Sequence, residues 1–223
     1  MKKDRVAKKI THRPKPNSRL GRPSKEESQR RHEELLDRAL DIFLEYGFEE
    51  TTITHISAVV GMSKRTVYNL YRNKDELFKA AVERAIDRYT IPTAALRALE
   101  SESLEATLTA VARLRAENLK DPANIKLQRI LNGQSFRFPD LFTSAFDIKG
   151  TGPSIDYLSE LLERHSAQGT IEVTDTRRAA QAFLSMALSR TARMLISGNN
   201  LNQDDIEEQI QYSVAFFLRA VRL

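Results

Sequence analysis

Apolar side chains recur at spacings of three and four along most of the chain, broken by glycine, proline and asparagine, and this pattern predicts a protein built of helices. A first helix is expected over residues 25 to 46, with Leu35, Leu36, Ala39, Leu40 and Phe43 as its apolar stripe. Ser24 is placed to cap it with Glu27 in the capping-box position, and Gly47 to stop it in a left-handed conformation. Thr52 opens a short helix whose Ile53, Ile56, Val59 and Val60 mark an inward face. Gly61 turns the chain, and Ser63 caps a second short helix that exposes Lys64, Arg65, Thr66, Tyr68 and Asn69 while Val67, Leu70 and Tyr71 face in. Asn73 and Glu76 then start another helix, with Leu77, Phe78, Ala81, Val82, Ala85, Ile86 and Tyr89 in register up to the Ile91-Pro92 break.

The periodicity stays helical to the end of the chain, with no pair of strands and no βαβ alternation. Helices are expected over residues 104 to 119, 123 to 136, 139 to 147, 154 to 168, about 175 to 197 and 203 to 221. The fold class is therefore all-α with about nine helices, divided into a basic arm (1–25), a first group of helices (26–90) and a second helical bundle (91–223). A helix, a glycine turn and a second helix with a polar, basic surface form the helix-turn-helix pattern, whose second helix enters the DNA major groove.

Residues 51 to 78 resemble the DNA-binding signature of the tetracycline-repressor (TetR) family. The family's run of Thr, Ile-Ala, Gly-Val-Ser, Thr-Leu-Tyr, aromatic and Lys-Asp/Glu-x-Leu is met here by Thr52, Ile56-Ser57, Gly61-Met62-Ser63, Thr66-Val67-Tyr68, Tyr71 and Lys74-Asp75-Glu76-Leu77. The later LQRILNGQSFRFPDLF stretch is similar to the AefR-like subgroup. The resemblance implies phosphate contacts from Tyr68 and Lys74, with Thr52, Ser63, Lys64, Arg65, Thr66, Asn69 and Tyr71 also at the DNA. Arg65 stands where most members have glycine, so it either reads a base edge or rests on phosphate. Leu70 replaces a common polar residue, and His55 replaces the usual acidic partner of Thr52.

The resemblance also implies that residues 26–90 are a helix-turn-helix DNA-binding domain and 91–223 an effector-binding and dimerisation domain, in a homodimer whose last two helices form a four-helix interface, here with Phe183, Ala187, Ile210, Val214 and Phe217. It further implies an effector pocket, since ligands in helical bundles lie between helices against apolar walls with a few polar anchors. The candidates are Asn118, Gln128, Asn132, Phe136, Phe138, Phe142, Phe146, Tyr157, Met186, Arg190 and Met194, any of which could equally be ordinary core or surface.

Charge sharpens the reading at one end. Residues 1 to 25 carry ten Lys or Arg against Asp4 alone, a net +9, which leaves −4 for the remainder of a chain whose total is +5. Such an arm suits a polyanion, and its prolines argue for disorder when free. Arg19 and Arg22, in the RLGRP stretch, could enter a minor groove, or the arm could touch phosphate without sequence preference. No run of apolar residues is long enough to span a bilayer, and there is no cysteine, so a cytoplasmic protein is expected with neither disulfide nor thiolate site. His12, His32, His55 and His165 show no metal-ligand spacing, and no nucleotide-binding or nucleophile-elbow motif is found. The expectation is a non-enzymatic, cofactor-free regulator, a repressor by resemblance. It would bind a palindromic double-stranded DNA operator as a homodimer and respond to a small-molecule effector. The alternative is a constitutive, effector-free DNA-binding protein.

Overall fold

The computed structural model describes residues 24–145, 151–199 and 201–221, and among these every regular element is helical. Eleven helices follow one another: α1 Lys25–Glu50, α2 Ile53–Val60, α3 Lys64–Leu70, α4 Lys74–Tyr89, α5 Thr93–Arg97, α6 Leu104–Lys120, α7 Pro122–Gly133, α8 Pro139–Thr143, α9 Gly152–Ala167, α10 Thr176–Ile196 and α11 Gln203–Val221. The short α5, which follows the Ile91-Pro92 break, is the one that the apolar pattern does not announce.

Local chemistry sets most of the boundaries. Ser24 Oγ accepts from Glu27 N at 3.1 Å, Thr52 Oγ1 from His55 N at 3.1 Å and Asn73 Oδ1 from Glu76 N at 2.8 Å, each satisfying an orphan donor of a first turn. Asp121 caps α7 and Asp175 caps α10 in the same way. Gly61 closes α2 in the left-handed region at φ 69°, ψ 25°.

Gly47 interrupts the helix where a stop is expected, though not in the αL conformation. Its φ is positive, 81°, but its ψ is 166°, and the chain resumes helical hydrogen bonding to Glu50 after a kink. Thr51 Oγ1 donates to the Gly47 carbonyl at 2.7 Å, and Phe48 turns inward to stack 5.8 Å from Phe43 and meet Phe78 edge-on at 5.0 Å. The chain beyond the kink thus places the Phe48 ring in the core beside Phe43 and Phe78.

Two apolar cores result. One joins α6, α9, α10 and α11, with Leu96 of α5. The other holds α1 to α4 together and also takes in Leu127 and Leu131 of α7 and Phe138, Leu141 and Ala145 around α8. The head formed by α1 to α4 therefore takes in apolar residues from well beyond residue 90, the expected boundary of the first domain. Phe138 meets Phe48 at 5.4 Å and Phe78 at 5.2 Å, and Arg137 beside it reaches Glu49 and Asp75. On the opposite side α1 and α4 are tied by Arg84 and Arg88, which donate to Asp37 at 2.9 Å each. Burial alone would raise the Asp37 pKa, but the Arg84 hydrogen bond and the two positive charges outweigh it and hold the carboxyl below its ordinary value.

Candidate nucleic-acid interface and ligand cavity

The second helix of the motif, α3, is held by few contacts and exposes most of its surface. Val67 is its single buried residue, while Lys64, Arg65, Thr66, Tyr68 and Asn69 all face solvent. Ser63 Oγ accepts from Thr66 N at 3.1 Å and pairs with the Thr66 hydroxyl at 2.8 Å, so the turn before the helix is fixed by side chains. Among the described residues neither Lys64 nor Arg65 has an ion-pair partner, which leaves two cations on the first turn of a helix with no acidic residue beside them. Such a surface can meet phosphates and base edges. Thr52 is exposed at the start of α2 with its oxygen engaged as the cap.

Leu70, Val59 and Lys74 sit differently from their expected places, whereas Tyr71 faces inward as expected. Leu70 is 47% exposed and Val59 54% exposed, both on the surface of the motif instead of within it, because α2 and α3 are too short to turn a wide apolar face inward. Tyr71 turns its phenol to α1, 2.6 Å from His32 Nε2 with the rings stacked, and burial raises its pKa. Lys74, expected on phosphate, points inward: its ammonium donates to the Phe48 carbonyl at 2.8 Å and the Glu49 carbonyl at 3.1 Å, and lies 4.3 Å from the Phe48 ring centroid. The last turn of α1 has orphan carbonyls and no basic residue of its own, so the ammonium of α4 satisfies them. Arg19 and Arg22 lie outside the described residues.

A cavity of about 680 Å³ opens between α4, α6, α7, α9 and α10. Its apolar wall comes from Ile86, Leu127, Leu131, Ile155, Leu184 and Leu188, and its polar groups include Arg115, Asn118, Asn124, Gln128, Asn132 and Thr151. Of the expected effector residues, Asn118, Gln128 and Asn132 are therefore brought together. The others are not on this wall. Phe136 is fully exposed in the turn after α7, and Arg190 is exposed on α10. Met186 packs against the body core. Tyr157 is wholly buried, donating to Glu100 at 3.2 Å, and burial beside that carboxylate pushes its pKa up to about 12. Phe138 belongs to the head core, Phe142 and Met194 are half-buried off the cavity wall, and Phe146 lies outside the described residues.

Arg115, Asn124 and Thr151 were not anticipated. Arg115 left a legible signal, a charged residue at helical spacing among Val111, Ala112, Ala116 and Leu119. It is buried, its Nη2 reaches Thr151 Oγ1 at 3.3 Å, and burial lowers its pKa to about 10, so it stays protonated at neutral pH. From the cavity a chain of carboxamides runs toward the head. Gln128 Nε2 donates to Asn124 Oδ1 at 3.5 Å, Asn124 Nδ2 to the Asn118 carbonyl at 2.9 Å, and Asn118 Nδ2 to the Tyr89 carbonyl at 3.2 Å, at the C-terminal end of α4.

The five residues expected at a dimer interface are corrected by their burial. Phe183, Ala187, Ile210, Val214 and Phe217 all lie in the protomer's own core, with Phe183 and Phe217 in ring contact at 5.3 Å, so a second chain cannot reach them. The large apolar groups that α11 leaves on the surface are Tyr212, 64% exposed, and Phe216, 52% exposed, stacked one turn apart.

Comparison with known proteins agrees with this architecture. Residues 35–81 match the family of bacterial regulatory proteins of the tetR type, and residues 106–221 match the C-terminal domain of AefR-like transcriptional repressors. The chain is similar to the HTH-type transcriptional regulator YezE of Bacillus subtilis, 24% identical over 81% of this chain and 93% of that protein. It is also similar to the HTH-type transcriptional repressor ComR of Escherichia coli, 33% identical over 33% of this chain and 35% of ComR. Among solved structures, a TetR-family regulator from Mesorhizobium loti superimposes with a TM-score of 0.74 at 23% identity, covering 88% of this chain and 98% of that one. The flavonoid-responsive regulator FrrA superimposes with a TM-score of 0.65 at 26% identity, covering 87% and 98%.

Proposed function

The chain belongs to the TetR family of transcriptional regulators, and from that premise we propose that it is a ligand-responsive repressor acting as a homodimer on a palindromic operator in the cytoplasm. The observation that carries the ligand response is the double membership of α7: Leu127 and Leu131 line the cavity and also belong to the head core. A molecule that occupies the cavity cannot displace this helix without moving the residues on which α1 and α4 pack.

In this reading the exposed face of α3 enters the major groove. Lys64 and Arg65 lead at its N-terminal end, and Thr66, Tyr68, Asn69 and Thr52 contact the neighbouring backbone and bases. The +9 arm, with Arg19 and Arg22, adds phosphate or minor-groove contacts. One short helix reads few bases, so two heads are needed, and the exposed Tyr212 and Phe216 of α11 supply an apolar surface by which two chains pair. The effector shifts the spacing of the heads by its differential affinity for two arrangements, typically about 1 to 3 kcal/mol of coupling.

Selection of bound sequences from a random DNA pool tests the core of this reading. The expected product is an inverted repeat with half-sites about 34–36 Å apart or a multiple of that spacing. An enriched pool without symmetry or sequence preference would instead favour a constitutive, effector-free DNA-binding protein.

A further inference from the structure

We propose that Arg137 is a positioning residue for DNA reading: with Phe138 it clasps the head to the body and fixes the direction in which α3 points, and hence the half-site spacing that a dimer accepts. The inference rests on the reading of the chain as a homodimeric operator-binding protein and names the residue that sets its geometry.

The clasp is carried by the turn between α7 and α8. Arg137 N and Phe138 N both donate to the Gln134 carbonyl, at 3.1 and 2.9 Å, and Pro139 starts α8 directly afterwards, so the two residues are held at the end of α7. Phe138 is buried and enters the head core beside Phe48 and Phe78. Arg137 stays at the rim. Its Nη1 donates to Glu49 Oε1 at 3.3 Å and its Nη2 to the two Asp75 carboxylate oxygens at 3.2 and 3.3 Å. The guanidinium also lies 4.6 Å from the Phe48 ring centroid and 5.6 Å from that of Phe138.

The two carboxylates give the contact its direction. Glu49 lies in the last turn of α1 and Asp75 in the first turn of α4, so they stand where the chain enters and leaves the α2–α3 pair. One guanidinium therefore holds both stems of the motif. α7 is in turn tied to the body by Arg129, which donates to the Ile196 and Leu195 carbonyls of α10 at 2.7 and 3.2 Å. A line of directional contacts thus runs from α10 through α7 to both stems. The Arg137 side chain is 45% exposed, and ion pairs so open to solvent add little to the stability of the fold. Small differences are enough to choose between head orientations of similar energy, so loss of the guanidinium should show in orientation before it shows in stability.

The chain has no cysteine, so spin labels at Glu45→Cys in the head and Ala167→Cys in the body report a single distance within the full chain when labelled protein is diluted with unlabelled. Pulsed dipolar spectroscopy should give a narrow distribution with Arg137 in place and a broad one for Arg137→Gln, with the melting temperature held within about 4 °C. Arg137→Asp should be broad as well, and Arg137→Asp combined with Asp75→Arg should narrow the distribution again, since the pair is restored with its charges exchanged. A distribution equally narrow without the guanidinium, or one that the exchange leaves broad, would overturn the proposal. Should Arg137→Gln fail to fold, the labelled chain with Arg137 in place is measured at 1 M salt, where a Debye length of about 3 Å weakens exposed pairs. No broadening there would overturn it equally. On DNA, Arg137→Gln should reduce the preference for the selected spacing over one a base pair longer by about threefold or more, and leave affinity for a single half-site unchanged. Loss of single half-site affinity with the spacing preference intact would make Arg137 a DNA contact and end its positioning role. If the natural protein selects no paired half-sites, the homodimer reading fails, and the distance distributions alone decide the clasp.

Discussion

Lys74 shows how one side chain can serve stability where its place in a motif suggests binding. Its ammonium donates to two main-chain carbonyls of the last turn of α1, with the Phe48 ring beneath it. Lys74→Met keeps the aliphatic stem and deletes the donors, so it should lower the unfolding free energy by about 1.5 to 3 kcal/mol, the range for hydrogen bonds to charged groups. Urea denaturation measures this; unchanged stability with weakened DNA binding would return Lys74 to the phosphate. Arg65 makes the opposite case, having no ion-pair partner among the described residues. Arg65→Ala should leave stability within about 0.5 kcal/mol and, if the guanidinium reads a base, cost about 1 to 3 kcal/mol on the selected operator alone. A uniform loss on all sequences would make it a phosphate contact. Glu207 carries the clearest pH signal. Hydrogen bonds from Arg113 and Gln211 outweigh burial and hold its pKa at about 2. Because this folded value lies below the unfolded one, the contribution is complete above the ordinary glutamate range. It fades as the pH falls from there toward about 2. Stability of the natural protein and of Glu207→Gln, followed by denaturation from pH 7 to pH 2.5, should therefore converge on acidification.

At the scale of elements, legibility followed local signals. The starts of α1, α2, α3 and α4 were readable because each has a side chain of the right type one residue ahead, and each of those side chains makes its capping bond. The break at Gly47 was readable, but the further helical turn from Phe48 to Glu50 was not, since a glycine after an apolar stripe marks only an end. What decides it is the Phe48 pocket between Phe43, Phe78 and Phe138, which only tertiary packing creates. The cavity was half-legible for a related reason: α7 carries Asn124, Gln128 and Asn132 at i, i+4 spacing, but which face of a helix meets a void depends on its neighbours. Gly47 offers a direct test. At φ 81°, ψ 166° an L side chain is strained even though nothing stands within 4 Å of where its Cβ would be. Gly47→Ala should destabilise the head on the order of 1 to 3 kcal/mol through backbone strain alone. A melting temperature equal to that of the natural protein would mean that the kink relaxes into a continuous helix at no cost.

For the whole molecule, the proposed homodimer requires two heads held at a fixed separation. The apolar residues of α11 divide into two sets whose roles differ by burial. Ile206, Ile210, Val214, Phe217 and Val221 close the body core, whereas Tyr212 and Phe216 stand outside it one turn apart. Helical spacing places Ile206, Ile210, Val214, Phe217 and Val221 on one face and Tyr212 and Phe216 on another, but which of the two meets the protomer's own core depends on the packing of its neighbours. The separation predicts two distinct phenotypes. Phe216→Asp places a charge on the exposed set and should convert a dimer to a monomer in sedimentation velocity while leaving the helical circular dichroism of each chain unchanged. It should also abolish binding to the paired half-sites, with residual affinity for a single half-site at low salt. Phe217→Ala removes a buried ring packed 5.3 Å from Phe183, and should cost about 3 to 5 kcal/mol of protomer stability before any effect on assembly is seen. If Phe216→Asp remained dimeric, the chains would have to pair through another surface, and the exposed face of α10 around Ala182 would be the next place to introduce the charge.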